Sequence, residues 1–325
     1  MGKILVIMPF PEDERAEITT LCKDRFSVCF LDPEKDVERY RAALADAEVI
    51  LGDASPEDLS LCRKLKLLQC TWAGVDHYVR ANCIPEGAAF CNVSGAYGRL
   101  IAEHMLGLIL SVCCRLPQYR DHMRSGTWAC AGNAKTLEGT NVLILGAGDI
   151  GTCLAQRIRP SVATVTGVCR KARAAYPDCY DRVIHLDELD AVLPEMDVVA
   201  CSLPETPETH RLLDARRLRA MKRDAVLVNV GRGGLIDSDA LAEVLSEGHL
   251  FGAGLDVTSP EPLPKEHPLW RQERCLITPH VSGNAFGPDS PTMRRIRRMI
   301  LDNLANYVSG RALNNVVDMA VGYRA

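Results

Sequence analysis

The chain has 325 residues, of which 47% are hydrophobic and 25% charged, and its formal net charge is −4. This length allows two domains that each bury a core, while an isoelectric point near 6.1 and the lack of a long basic run argue against a nucleic-acid partner. Because the longest apolar run after the first strand, Met105–Cys114, is too short to span a bilayer, we expect a cytoplasmic protein without a membrane partner.

The first third of the chain alternates short apolar runs with helical stretches, a pattern typical of a parallel α/β sheet. After the last of these strands, a long apolar helix is predicted from Tyr97 to Leu116, and Pro117 marks its end. The five predicted strands are Lys3–Met8, Arg25–Phe30, Glu48–Leu51, Leu67–Thr71 and Ala89–Val93.

From Thr140 the alternation restarts with strands that are apolar throughout, as is typical of central parallel strands covered by helices on both faces. Six such strands predict a dinucleotide-binding fold. An amphipathic helix, Met293–Tyr307, follows Pro288. The six strands are Asn141–Leu145, Thr164–Val168, Val198–Leu203, Ala225–Val230, Gly252–Asp256 and Cys275–Thr278.

Fourteen cysteines are scattered along the chain, with no CxxC pair and no cysteine–histidine cluster at zinc-finger spacing. Many of them lie in apolar runs, where a free cysteine acts as a small hydrophobic residue. We therefore expect reduced thiols and no metal site.

A glycine-rich turn follows the strand Asn141–Leu145 and opens a helical stretch, Asp149–Arg159. Glycines in such a turn let the backbone approach a pyrophosphate closely, and the free N–H groups of the helix N-terminus attract its negative charge. The strand–turn–helix context therefore favours a dinucleotide site over an ordinary turn. The predicted cofactor-binding residues of this turn are Gly146, Gly148, Asp149, Ile150 and Gly151.

The end of the next strand bears on the choice of cofactor. An NAD site usually carries an acid there, which binds the ribose 2′-hydroxyl group. This chain has no acid at that place, and the cations Arg170, Lys171 and Arg173 follow the strand. They are either solvated charges of an ordinary turn or ligands of a 2′-phosphate. We favour the second interpretation and expect NADP(H), with Arg170 and Lys171 in contact with the phosphate, while NAD(H) stays possible.

Seven segments of the chain together resemble the D-isomer-specific 2-hydroxyacid dehydrogenase family. They occur in the family's order and extend over most of the chain. The segments are Thr71–Asp76, Ala102–His104, Leu145–Gly151, Leu203–Thr209, Val228–Asp237, Gly252–Val257 with Glu261–Pro264, and Thr278–Gly283.

The resemblance implies a catalytic triad of Arg232, Glu261 and His280. Arg232 would bind the carboxylate and the carbonyl group of a 2-keto acid, a task that suits a planar guanidinium that stays charged. His280 would be the general acid/base, and Glu261 the carboxylate that keeps its imidazole protonated for reduction. The activity implied is reduction of a small 2-keto acid to the D-2-hydroxy acid with NAD(P)H.

The resemblance also implies further contacts. The backbone N–H groups of Gly74 and Val75 would bind the substrate carboxylate, together with Arg232 and His280. Asp256 would lie near the nicotinamide carboxamide. The remaining cofactor contacts that we expect are Leu203, Pro204, Val230, Gly231, Ser282 and Gly283.

The implied architecture is α/β, with two Rossmann-like parallel-sheet domains. A flavodoxin-like substrate domain would be discontinuous and comprise residues 1–96 and 290–325, and a dinucleotide-binding domain would comprise residues 97–289. The active site would lie in the cleft between the domains. The family is usually dimeric through the long helix and the segment around Trp128, so we expect a homodimer.

Two departures within the family narrow the substrate. Glu261 is an acid where formate dehydrogenases of this superfamily carry an amide, and Asp53 is an acid where members acting on phosphorylated substrates often carry a base. Both favour a small unphosphorylated keto acid such as glyoxylate or hydroxypyruvate. The alternatives are a phosphoglycerate dehydrogenase-like activity and a cofactor-sensing scaffold like the corepressors of the family.

Overall fold

The computed structural model describes residues 1–170, 175–284 and 287–320 in full and the backbone of residues 323–324. The chain divides into two compact units. The first comprises Met1–Ala96 and Phe286–Ala325, and the second comprises Tyr97–Ala285.

The first unit is built on five parallel strands in the order β2-β1-β3-β4-β5, which is the strand order of flavodoxin-like folds. A long helix from the C-terminal part of the chain, α11, completes the unit, and its N-cap Ser290 accepts a hydrogen bond from the Met293 N–H. The elements are β1 (Gly2–Val6), α1 (Glu12–Cys22), β2 (Phe26–Phe30), α2 (Val37–Leu44), β3 (Ala47–Leu51), α3 (Pro56–Leu59), β4 (Leu67–Gln69), α4 (Asp76–Ala81), β5 (Ala89–Cys91), α11 (Pro291–Ser309), β13 (Val317–Asp318) and β14 (Tyr323–Arg324).

The second unit is built on seven parallel strands in the order β12-β11-β10-β9-β6-β7-β8. Helices follow most of the strands, as expected of a doubly wound sheet. The elements are α5 (Gly98–Cys113), α6 (Leu116–Arg124), β6 (Asn141–Leu145), α7 (Asp149–Ile158), β7 (Thr164–Cys169), β8 (Arg182–His185), α8 (Leu189–Val192), β9 (Val198–Cys201), α9 (Ala215–Ala220), β10 (Val226–Asn229), α10 (Ser238–Ser246), β11 (Gly252–Leu255) and β12 (Cys275–Ile277).

The central strands of the second unit are apolar because helices bury them from both sides. Alternate residues of β6 belong to two different core clusters: Leu143 lies in the cluster that contains residues of α10, and Ile144 lies in the cluster that contains residues of α5 and α7. Both side chains are fully buried. Because these strands are parallel, the carboxyl ends of β6, β9, β10 and β11 lie along one edge of the sheet, where open α/β sheets bind their ligands.

The predicted fold class, two Rossmann-like parallel-sheet domains, is confirmed. The prediction of six strands in the second unit is wrong, because β8 (Arg182–His185) is a seventh. It lies at the edge of the sheet and both its end residues are exposed. A search for continuous apolar runs finds central strands and misses such an edge strand.

The predicted helix from Tyr97 to Leu116 is also corrected. Helix α5 ends at Cys113, and Arg115 adopts a left-handed conformation with φ 57°. Pro117 therefore lies in the first turn of the next helix, α6, rather than at the end of α5. Proline suits this position, since the first turn leaves its N–H groups unpaired.

No single helix among the described residues is long and apolar enough to cross a membrane. Helices α5 and α6 pass that test only as a pair, which is bent by 68°. All fourteen cysteines are described, and each carries a free thiol.

Candidate active site

The glycine-rich turn between β6 and α7 is shaped by two close backbone approaches. Gly146 has φ 113°, a conformation that favours glycine. A Cβ atom on Gly151 would lie 2.0 Å from the carbonyl oxygen of Gly146. Only glycine fits at residue 151, because a side chain there would collide with the turn itself.

The middle of the same turn is open. A Cβ atom on Gly148 would meet no atom within 4 Å, and the N–H groups of Gly148, Asp149 and Ile150 have no hydrogen-bond acceptor within the described part of the chain. Helix α7 begins there and has ten residues, so its N-terminus carries a partial positive charge. The turn therefore fits a pyrophosphate, as the sequence predicts.

Arg170 follows the last residue of β7 and is partly buried. Its Nη1 atom lies 3.8 Å from Oε2 of Glu208, and its carbonyl oxygen is 2.7 Å from Nε2 of His185. The neighbouring cations Lys171 and Arg173 lie outside the described residues. The turn after β7 thus presents at least one cation, Arg170, and no acid at the end of the strand.

The segments after β9 and β10 pack directly on each other. A Cβ atom on Gly231 would lie 2.5 Å from the carbonyl oxygen of Leu203. The Val230 N–H donates to Cys201 over 3.0 Å, and the Thr209 hydroxyl donates to the Pro204 carbonyl over 2.7 Å. The structure therefore brings the predicted groove residues Leu203, Pro204, Val230 and Gly231 to one place beside the glycine turn.

The turn that carries Arg232 is held from below by a buried amide. Asn229, the last residue of β10, accepts a hydrogen bond from the Gly231 N–H over 3.0 Å and donates one to the Arg232 carbonyl over 2.9 Å. A Cβ atom on Gly233 would lie 1.7 Å from the carbonyl oxygen of Thr258. The Arg232 turn is consequently pressed against the segment that leads to Glu261.

Glu261 and His280 form a direct pair. His280 Nδ1 lies 2.6 Å from Glu261 Oε1, and both side chains are about half exposed. Glu261 stands between Pro260 and Pro262. With Nδ1 engaged by the carboxylate, Nε2 is the imidazole nitrogen that faces away from Glu261 and has no hydrogen-bond partner within the described residues.

His280 has a left-handed backbone conformation, with φ 52°, which is uncommon for a residue with a side chain. Its N–H donates to the Asp256 and Thr278 carbonyls over 2.8 and 3.0 Å. The Asn284 side chain donates to the His280 carbonyl over 3.2 Å. These bonds fix both sides of the residue and so hold the imidazole at the edge of the sheet.

The Asp256 carboxylate organises this turn. Its side chain is fully buried and accepts hydrogen bonds from the Thr278 hydroxyl and from the N–H groups of Val281 and Ser282, over 2.5, 3.0 and 3.0 Å. Burial raises the pKa of Asp256, but these hydrogen bonds outweigh burial and hold the pKa below its usual value. The predicted contact of Asp256 with a carboxamide stays a prediction.

Sequence reasoning missed the role of Asn229, and it gave His104 only as a positioning group on the long helix, without its contacts. His104 on α5 places Nε2 3.1 Å from the Thr278 hydroxyl and 3.6 Å from Asp256 Oδ1, so it supports the His280 turn from behind. Asn229 holds the Arg232 turn. Asn229 is a polar residue at the end of an apolar strand, and His104 is a polar residue within an apolar helix. Neither pattern says what the side chain contacts.

Gly74 and Val75 belong to the first unit and lie between β4 and α4. Val75 is buried and Gly74 is partly buried. Their N–H groups have no hydrogen-bond acceptor within the described residues. They can therefore serve as the anion ligands that the sequence predicts.

The family described as "D-isomer specific 2-hydroxyacid dehydrogenase, NAD binding domain" matches residues 106–282. The chain is 32% identical over 285 residues to glyoxylate/hydroxypyruvate reductase HPR3 of Arabidopsis thaliana, covering 86% of this chain and 84% of that protein. It is 29% identical over 301 residues to glyoxylate/hydroxypyruvate reductase B of Cronobacter sakazakii, covering 89% of each chain.

Solved structures agree with the sequence relatives. A D-isomer specific 2-hydroxyacid dehydrogenase family protein from Aeromonas salmonicida has a TM-score of 0.79 at 31% identity, over 98% of this chain and 99% of its own. An NADPH-dependent glyoxylate/hydroxypyruvate reductase from Sinorhizobium meliloti, in complex with NADP and sulfate, has a TM-score of 0.78 at 25% identity, over 99% of this chain and 100% of its own.

The role of the buried carboxylate can be tested with Asp256→Asn. An amide in this pocket turns an N–H group towards another donor, so we expect a loss of about 1–3 kcal/mol of unfolding free energy at pH 7. Because the pKa of Asp256 is lowered in the folded protein, its contribution is present above the unfolded pKa and is lost as pH falls through the folded value. The difference in unfolding free energy between wild type and Asp256→Asn should therefore become smaller below about pH 4.

The measurement is chemical denaturation from pH 7 down to the acid limit of the folded protein. Asp178→Asn, an exposed carboxylate of the same unit, is the control and should follow wild type throughout. A difference in unfolding free energy that does not change with pH would contradict the view that the ionised form of Asp256 provides the stabilisation.

Proposed function

This chain belongs to the D-isomer-specific 2-hydroxyacid dehydrogenase family and is thus an NAD(P)-dependent oxidoreductase, and from that premise we propose that it reduces glyoxylate, hydroxypyruvate or a similarly small 2-keto acid to the D-2-hydroxy acid. The observation that carries the proposal is the His280–Glu261 pair at 2.6 Å, beside the turn that holds Arg232. An acid/base group, its carboxylate partner and a cation are the groups that reduction of a keto acid requires.

Each residue of the proposed site has its own role in the reduction of the keto acid. The Gly146–Gly151 turn would hold the pyrophosphate of the dinucleotide, which when bound would supply the hydride for the carbonyl carbon. Arg232 binds the substrate carboxylate and polarises the carbonyl group. His280 donates the Nε2 proton to the carbonyl oxygen, while Glu261 keeps the Nδ1 proton in place and so fixes the neutral tautomer that remains.

The small, unphosphorylated substrate is supported by Asp53. Its carboxylate accepts hydrogen bonds from the Thr71 N–H, over 2.8 Å, and from the Thr71 hydroxyl group, so it stands close to the loop that carries Gly74. A negative charge at this place disfavours a substrate phosphate by like-charge repulsion. Both relatives described above are glyoxylate/hydroxypyruvate reductases.

NADP(H) is the cofactor that we propose to be preferred. Arg170 is a cation at the end of β7, where an NAD site would carry an acid. The Sinorhizobium reductase, which is bound to NADP, supports the same choice. Lys171, the second predicted phosphate ligand, lies outside the described residues.

The proposal extends to a homodimer in the cytoplasm. Large apolar side chains are exposed along α6 and the segment after it: Leu116, Met123 and Trp128 are 52%, 67% and 102% exposed. A groove of about 860 Å³ in the same unit, lined in part by Leu110 and Leu137, is large enough to receive such side chains from a second copy. Fourteen free thiols suit a reducing compartment.

The catalytic assignment is tested by His280→Ala and Arg232→Ala. Loss of a positioned acid/base group typically slows turnover about 10²–10⁴-fold, and we expect at least that loss of kcat/KM with glyoxylate and hydroxypyruvate for either variant. Binding of NADPH, measured by fluorescence titration, should stay within about twofold of wild type, since neither side chain lies on the glycine turn.

His249→Ala is the matched control for this experiment. His249 is hydrogen-bonded to the Met221 carbonyl over 3.0 Å. It precedes β11 and so lies at the amino ends of the parallel strands, whereas the turns of Arg232 and His280 lie at their carboxyl ends. It should retain wild-type turnover. Loss of dinucleotide binding in both His280→Ala and Arg232→Ala would count against their catalytic roles, and wild-type protein that binds NADPH without turning over any keto acid would favour the scaffold alternative.

The cofactor preference is tested by Arg170→Ser. Removing a charge-assisted hydrogen bond to a phosphate should weaken NADPH binding about tenfold or more, while NADH binding changes less than about twofold. Glu208→Gln is the control, because it removes the partner of Arg170 and leaves the cation in place. Equal weakening of both cofactors in Arg170→Ser would contradict a contact with the 2′-phosphate.

The assembly is tested by Met123→Ser combined with Trp128→Ser. If these side chains are buried between two copies, wild type should have a dimer mass in analytical ultracentrifugation and the double variant should dissociate to monomers. Leu61→Ser, which replaces an exposed leucine of the first unit, should leave the mass unchanged. A wild-type chain that sediments as a monomer at micromolar concentration would overturn the proposal.

A further inference from the structure

The loop that carries Gly74 is gripped by two neighbouring residues that follow β5. The Val93 N–H donates a hydrogen bond to the Trp72 carbonyl over 3.2 Å. The side-chain amide of Asn92 donates one to the Ala73 carbonyl over 2.9 Å. Two consecutive carbonyl groups of the loop therefore point back towards the strand.

The second of these bonds determines where the Gly74 N–H points. The Ala73 carbonyl and the Gly74 N–H belong to the same peptide group, which is trans. In a planar trans peptide the C=O and N–H bonds point in opposite directions. By holding the carbonyl, Asn92 turns the Gly74 N–H away from the strand, and the hydrogen bond also polarises the peptide group and strengthens its N–H as a donor.

Asn92 can do this because its own position is fixed. Its side chain is 1% exposed, and its Oδ1 accepts a hydrogen bond from the Ser94 N–H over 3.1 Å. Its backbone N–H donates to the Asn315 carbonyl over 3.1 Å, and the Gln69 side chain donates to its carbonyl over 3.4 Å. A group held by this many bonds loses little freedom when the loop binds a ligand.

The same unit contains a second buried asparagine, Asn303. Asn303 on α11 is 2% exposed and donates to Gln69 Oε1 and to the Asn314 carbonyl over 2.6 and 2.9 Å. Its contacts are with the C-terminal segment and with Gln69, whose side chain donates to the Asn92 carbonyl, rather than with the Gly74 loop itself. Asn92 and Asn303 are thus alike in chemistry and burial and differ in what they hold.

We propose that Asn92 is a positioning residue for substrate binding: it orients the Ala73–Gly74 peptide group so that the Gly74 N–H faces the carboxylate of a 2-keto acid. This inference rests on the proposed function, in which the Gly74 and Val75 N–H groups bind that carboxylate. Asn92 contacts neither substrate nor cofactor in this role. It acts through the peptide group alone.

The test is Asn92→Asp, which keeps the size of the side chain and replaces the donor by an oxygen that repels the Ala73 carbonyl. Without the bond, the peptide group is free to rotate and the carboxylate loses a well-oriented donor. We expect KM for glyoxylate to rise about tenfold, while kcat falls less than about threefold and the dissociation constant of NADPH stays within about twofold. Inhibition by oxamate, an unreactive analogue with the same carboxylate, should weaken by the same factor as KM rises.

Asn303→Asp is the matched control, because it makes the same change at an equally buried amide. It should lower the melting temperature and leave KM and oxamate inhibition at wild-type values. Asn92→Ala, which removes the donor without adding a charge, should repeat the rise in KM if Asn92→Asp does not fold. An unchanged KM in a folded Asn92 variant, or an equal rise in KM in Asn303→Asp, would overturn the inference, whereas a wild-type enzyme without turnover would overturn the proposed function itself.

Discussion

The buried carboxylate of Asp256 is the constraint on which the geometry of the second unit's site depends. A charged group with no exposure is stable only if hydrogen bonds replace its water. The bonds that do so come from Thr278, Val281 and Ser282, the residues on either side of His280. The hydrogen bonds that stabilise the Asp256 carboxylate therefore also fix the conformation of the His280 turn, including the left-handed backbone of His280.

In both units a buried asparagine fixes the backbone of the turn that follows a strand. Asn229 ends β10 and bonds to two backbone groups of the Arg232 turn, and Asn92 follows β5 and bonds to the Gly74 loop. An amide side chain offers a donor and an acceptor at fixed angles, so one residue can set the direction of the chain just after a strand ends. Each turn is thereby fixed by hydrogen bonds to a residue at the end of a rigid strand.

The parts of this structure that could be predicted from sequence are those with a local cause. Fully apolar runs predict central strands, and Gly146, Gly148 and Gly151 predict their turn, because burial and backbone freedom are properties of the residues themselves. The edge strand β8 and the break between α5 and α6 were missed, since neither has a strong local signal. The contacts of Asp256 and His104 could not be predicted, because each joins segments that are far apart in sequence and meet only in the folded sheet. Asn229 contacts residues only two and three positions away, but its residue type does not say which backbone groups it bonds to.

The order of strands in the second sheet has a consequence for redesign. The turn of Arg170 follows β7, and the turn of Arg232 follows β10, with β6 and β9 between them. At about 4.8 Å per strand, the two turns are separated by about 14 Å. Substitutions that far apart usually combine additively. On the roles that we propose for Arg170 and Arg232, substitutions that alter cofactor choice and keto-acid binding can therefore be selected in separate libraries and then combined.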